Sequence, residues 1–161
     1  MAANPALWAD VQRDLEVVHK NAAALLARAE ALERHGVELP PDLRLDREIA
    51  IGVMLHNCFG AMESALERLI EAVDGSLPTG RNYHTELIRR AEASVPDIRP
   101  SIISPALAAD LQRLRQYRHA FRHAYGDYDY ARAAENIPVI TRAVPALIAE
   151  LKAFAHRTRL I

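Results

Sequence analysis

The chain has 161 residues, half of them hydrophobic and a quarter charged. That suits one globular domain spanning 1–161 with a core of its own, and it excludes a disordered chain. Twenty Lys plus Arg against 21 Asp plus Glu give a formal net charge of −1, so attraction to a polyanion has to come from local asymmetry.

The N-terminal stretch MAANPALWADVQRD lacks a basic region followed by an apolar run, so no secretory signal is expected. Trp8, Val11, Leu15, Val18, Ala22, Leu25, Ala29 and Leu32 then recur in steps of three and four, the seam of a long amphipathic helix. HGVELPPDL ends it with Gly36 and two prolines. A second long helix is predicted from about Asp46 to Val73, its seam formed by Ile49, Leu55, Phe59, Met62, Leu66, Leu69 and Val73. No apolar stretch reads as long enough to span a bilayer. The one cysteine, Cys58, lies in this apolar stretch and excludes an internal disulfide or a cysteine-based zinc site. A reducing compartment, the cytoplasm, is the simplest expectation. In the same stretch His56 and Asn57 read as core hydrogen-bonding groups, while Gly52 and Gly60 suit either close approach or tolerated defects.

DGSLPTGRN is a loop, and a short helix follows from about Tyr83 to Ala91, where His84 is either packed over the loop or part of a cleft. After the proline-rich ASVPDIRPSIISP, Ser104 and Pro105 form an N-cap and first-turn pair. The fourth helix is expected to run to about Tyr125, with Gly126 ending it. Asp127 and Asp129 read as turn and N-cap residues for the last helix, which carries Ile137, Ile140, Val144, Leu147, Leu151 and Phe154 and contains Pro145, expected to kink it. The predicted fold is therefore all-α, an antiparallel bundle of four long helices plus one short helix.

The fourth helix holds the oddity of the sequence. Its seam runs Leu107, Leu111, Leu114, position 118, Phe121, position 125, and two of those positions are Arg118 and Tyr125. From Leu111 to Tyr125 there are four arginines, two histidines and no acidic residue. At about 100° per residue, Arg122 lies about 40° from Arg118, Arg115 about 60°, His119 about 100° and His123 about 140°. Spacing alone admits a solvated basic stripe whose seam arginine pairs with a neighbouring carboxylate. His119 and His123, four apart, also admit a metal pair, but no third ligand is evident and no metal is expected. Beside these stands a functional reading, RNA cleavage without metal, which needs a histidine to move a proton and an arginine to hold the phosphate charge. Arg118 and His123 diverge too far to meet on one phosphate from one helix, which hints at two copies facing each other across a two-fold axis.

The run Arg118-His-Ala-Phe-Arg-His123-Ala-Tyr125 resembles the R-x4-H-x-Y motif of HEPN-domain proteins, specifically the HepT-like toxins. All three motif positions match, and LERLIEAVDGSLPTGRNYHTELI looks like the second helix, loop and short helix of one HepT-like branch. The likeness covers most of residues 45 to 156. It implies a homodimeric, metal-independent ribonuclease without a cofactor, with Arg118 and His123 as catalytic residues and Arg115, His119 and Arg122 as RNA phosphate-binding groups. It also implies a toxin whose antitoxin is a separate MNT-type nucleotidyltransferase that adenylylates Tyr125. Some members of the family are non-catalytic interaction modules that bind a nucleotidyltransferase or another protein, so that reading stands as the alternative.

Overall fold

The computed structural model describes residues 4–123 and 128–161, so Tyr125, Gly126 and Asp127 lie outside the described residues. Among the described residues the chain forms six α-helices and no strand, only an isolated bridge between Val95 and Arg99. The four long helices are α1 (Pro5–His35), α2 (Pro41–Asp74), α4 (Pro105–His123) and α6 (Ile137–Arg157). The two short ones are α3 (Tyr83–Glu92) and α5 (Tyr130–Ala134).

Asn4 caps α1, its side chain accepting from the Leu7 amide at 3.1 Å, and Pro5 takes the first turn, where its missing N–H costs nothing. All eight predicted seam residues of α1 are buried. The helix packs along α2 and against α6, while α4 packs against α2, α3 and α6. Phe59, Phe154, Leu25, Leu55, Met62 and Leu66 are among the largest fully buried side chains.

Helix α2 starts five residues earlier than expected. Pro41 occupies its first position, where proline is accepted, so the proline pair marks a helix start rather than the end of a linker. Its seam is also rotated. Ile49, expected in the core, is 38% exposed, and Ile51 and Gly52 are buried in its place. Val73 is only half-buried. The helix is long and apolar enough, by length and composition, to cross a membrane, contrary to the sequence expectation. Half of that apolar stretch is buried in the bundle, the situation of a core helix.

Ser104 caps α4 as expected, its hydroxyl accepting from the Leu107 amide, and Glu150 of α6 receives both the Ser104 amide (2.6 Å) and hydroxyl (2.7 Å). Asp129 is an N-cap, accepting from the Ala131 amide at 3.0 Å, but it caps the extra helix α5 and not α6. Helix α6 is continuous through Pro145.

Gly52 is a point of close approach. The rings of Phe121 and Tyr128 lie over it, and a β-carbon there would stand 2.6 Å from the Tyr128 hydroxyl and 2.9 Å from Phe121 Cε2. Nothing lies within 4 Å of a β-carbon built on Gly60. Gly52→Ala is therefore expected to destabilise the fold by about 1–3 kcal/mol through overpacking. Gly60→Ala should be neutral or gain up to about 1 kcal/mol of helix propensity. Urea denaturation of the two variants checks the contrast.

Candidate active site

The buried positions of α4 are Leu107, Ala108, Leu111, Leu114 and Tyr117. The seam thus steps from Leu114 to Tyr117, which leaves Arg118 half-buried at its edge and Phe121 half-buried beyond it. Arg118 turns toward α3. Its Nη1 lies 3.2 Å from Nε2 of His84, whose Nδ1 lies 2.6 Å from Oε1 of Glu63 on α2. Glu63 is only 5% exposed. Arg118 Nε is buried and has no hydrogen-bond partner among the described residues. None of Arg113, Arg115, Arg118 and Arg122 forms an ion pair with a carboxylate among the described residues. The expected neighbouring carboxylate is present, but an imidazole stands between it and the guanidinium.

Burial pushes the Glu63 carboxyl above its ordinary range, because a charged group loses hydration there; His84 and Arg118 draw it back, and Glu67 opposes them. Tyr83 donates to Glu67 Oε1 at 2.7 Å and presents its ring edge-on to His84. Gln112 reaches the Thr85 carbonyl of α3 and accepts from Arg115 Nε at 2.7 Å, so Arg115 lies along the same α3–α4 seam.

His56 was expected to be a satisfied core group, but its Nδ1 is buried without a partner among the described residues. Its ring lies 5.9 Å from Phe121. Burial, then Arg118 and Arg122, hold its pKa below the ordinary value. The folded state therefore binds this proton less readily than the unfolded chain. The stabilising contribution is present above the ordinary value of 6.5 and is lost as pH falls below it. Denaturation midpoints are expected to drop between about pH 7.5 and pH 5.5, and His56→Gln to flatten that part of the profile.

His119 and His123 lie on the exposed side of α4, ring centroids 4.6 Å apart. His123 lines a pocket of about 350 Å³ with Tyr117, Ala120, Phe121, Tyr128, Asp129 and Arg132. The wall of this pocket is an aromatic stack. Tyr117 and Phe121 lie 5.9 Å apart and nearly parallel, and Phe121 meets Tyr128 edge-on. Tyr128 donates to the Glu48 carbonyl at 2.7 Å. Burial pushes the Tyr117 hydroxyl up to about 12, a group suited to packing rather than proton transfer near neutrality.

Within one chain, then, Arg118 faces α3 with His84 and Glu63, and His123 lines a different pocket beside α5. Arg122 is exposed and near enough to His56 to influence it. Among the described residues no group of three or more His, Cys, Asp or Glu side chains is arranged to hold a metal ion. Sequence reasoning left His84 undecided and did not single out Glu63, although an acid four residues after Phe59 and seven before Ile70 falls on the buried face of α2.

A family model described as "HepT-like protein" matches residues 50–158, which takes in α3, α4, α5 and α6 whole and α2 from its tenth residue onward. No curated protein and no solved structure matches the chain. The matched segment contains Glu63, His84, Arg118 and His123 together, and the chain belongs to the HepT-like family.

Proposed function

We propose that this protein is a toxin ribonuclease of a HEPN/MNT-type pair, cutting RNA without metal in a cleft shared by two protomers in the cytoplasm. The observation that carries the reading is Arg118. It is a half-buried guanidinium on a helix with no acidic partner among the described residues, its Nε without a hydrogen bond there and its Nη1 against a ring nitrogen of His84. A cation prepared in this way favours an incoming anion, because phosphate oxygens supply the missing acceptors. Arg115, His119 and Arg122 hold flanking phosphates, and His123 moves the proton to or from the 2′-hydroxyl or the leaving oxygen.

The divergence of Arg118 and His123 supports a site built from two copies, with Arg118 of one protomer meeting His123 of the other. An apolar stripe supports the same arrangement. Leu45, Ile49 and Val53, one turn apart on α2, are 47%, 38% and 41% exposed, and the stripe ends a turn before His56 beside the cationic face. Tyr125 is the proposed target of adenylylation by a separate nucleotidyltransferase, which would add a bulky anion two residues along the chain from His123. RNA incubated with purified protein in EDTA tests the reading, together with the mass in solution. A dimer that degrades RNA supports it. An inert dimer leaves a non-catalytic interaction module, and a strict monomer removes the shared cleft.

A further inference from the structure

Arginine can only donate, so the 3.2 Å contact between Arg118 Nη1 and His84 Nε2 is a hydrogen bond only if Nε2 carries a lone pair. The single imidazole proton then sits on Nδ1 and is donated to Glu63 Oε1 at 2.6 Å. A proton on Nε2 would set two donors face to face. The buried carboxylate therefore selects the tautomer, and the tautomer creates the acceptor that holds the guanidinium. Three helices contribute one residue each to the chain: Glu63 from α2, His84 from α3 and Arg118 from α4. Glu67 and Tyr83, bonded to each other beside this chain, complete its polar surroundings. Because Nη1 is engaged and Nε is buried, Nη2 remains for an incoming anion, and Nε has no partner among the described residues.

We propose that His84, its tautomer set by Glu63, is a positioning residue that aims the Arg118 guanidinium at a phosphodiester. This rests on the reading of Arg118 as the phosphate-binding group of the cleft. His84 acts through Arg118 and has no independent role in the reaction. Its loss leaves the guanidinium on a freely rotating stem, and misplacement of a catalytic group by about 1 Å costs on the order of a hundredfold in rate.

The test is a double-mutant cycle on the full-length protein, with folding of each variant checked by circular dichroism. His84→Ala is expected to slow RNA cleavage about a hundredfold. Added to Arg118→Ala it should cost nothing more, because the group it positions is already gone. His84→Gln, whose carboxamide oxygen can accept from the guanidinium, should recover part of the loss. The same cycle read as affinity for a 2′-O-methyl RNA oligonucleotide, which lacks the attacking hydroxyl, needs no turnover. It separates a failure of the ribonuclease reading from a failure of this one. Long-range proton–nitrogen NMR of the imidazoles is expected to find His84 protonated at Nδ1 alone in wild type. Additive losses in the cycle, or His84 protonated at Nε2, would overturn the proposal whether or not the protein cuts RNA.

Discussion

Replacing Arg118 with alanine is expected to slow RNA cleavage in EDTA by about a hundred- to a thousandfold, the usual cost of removing one preorganised donor to a developing anion. The fold should be nearly untouched. Among the described residues Arg118 neutralises no carboxylate directly, since His84 stands between it and Glu63, and its buried Nε has no hydrogen bond to lose. Deleting a group that is itself unsatisfied removes a penalty along with its contacts. Arg118→Lys keeps the charge without the planar fork and should recover only part of the rate. His123→Ala removes the proposed proton-transfer group and is expected to cost about a hundred- to ten-thousandfold, with little change in stability for an exposed side chain. Initial rates on a labelled RNA, read beside urea midpoints, separate these losses from unfolding.

The opposite pattern is expected for Arg99, whose side chain is fully buried. Its guanidinium grips Asp74 at the end of α2 through both carboxylate oxygens, at 2.6 and 2.9 Å. It also donates to the Ala93, Arg90 and Pro100 carbonyls, at 2.7, 2.8 and 3.3 Å. The Arg90 and Ala93 carbonyls lie at the C-terminal end of α3, where helical carbonyls lack partners and positive charge is favoured. Arg99→Ala strands Asp74 and these acceptors together, and the loss of one partner from a buried pair costs about 3–5 kcal/mol. Arg99→Lys should rescue little, since an ammonium cannot span five acceptors arranged around a plane. Urea denaturation measures the loss, and a change below about 1 kcal/mol would show that the loop closes without this residue. Because Arg99 fixes the end of the helix that carries His84, cleavage should fall with stability.

Helix α1 was legible because its apolar stripe is narrow and uninterrupted, and each residue on it is buried. The start of α2 was misread because prolines mark helix starts as well as linkers, and composition alone does not separate the two. Ile49 was misassigned for a tertiary reason. The missing side chain of Gly52 admits Phe121 and Tyr128, which turns the 48–52 face inward and Ile49 outward. In the site, Arg118 stood out because a cation interrupts an apolar seam. Its partner did not, since His84 lies 34 residues away in a separate helix and no local period links them. Arg99 gave no signal at all, because its partners are backbone carbonyls and one carboxylate 25 residues upstream. Periodicity left open whether Arg118 and His123 act together; the resemblance to the HepT-like motif proposes that grouping, while one chain places them in different surroundings.

The most direct measurement mixes two inactive proteins. Arg118→Ala and His123→Ala chains, combined under conditions that let protomers exchange, form mixed dimers in which one protomer supplies Arg118 and the other His123. Recovery of RNA cleavage in EDTA, toward the wild-type rate and in proportion to the mixed dimers formed, is the expected result. A mixture as inert as its two parents, beside an active wild type, would contradict a site shared between protomers.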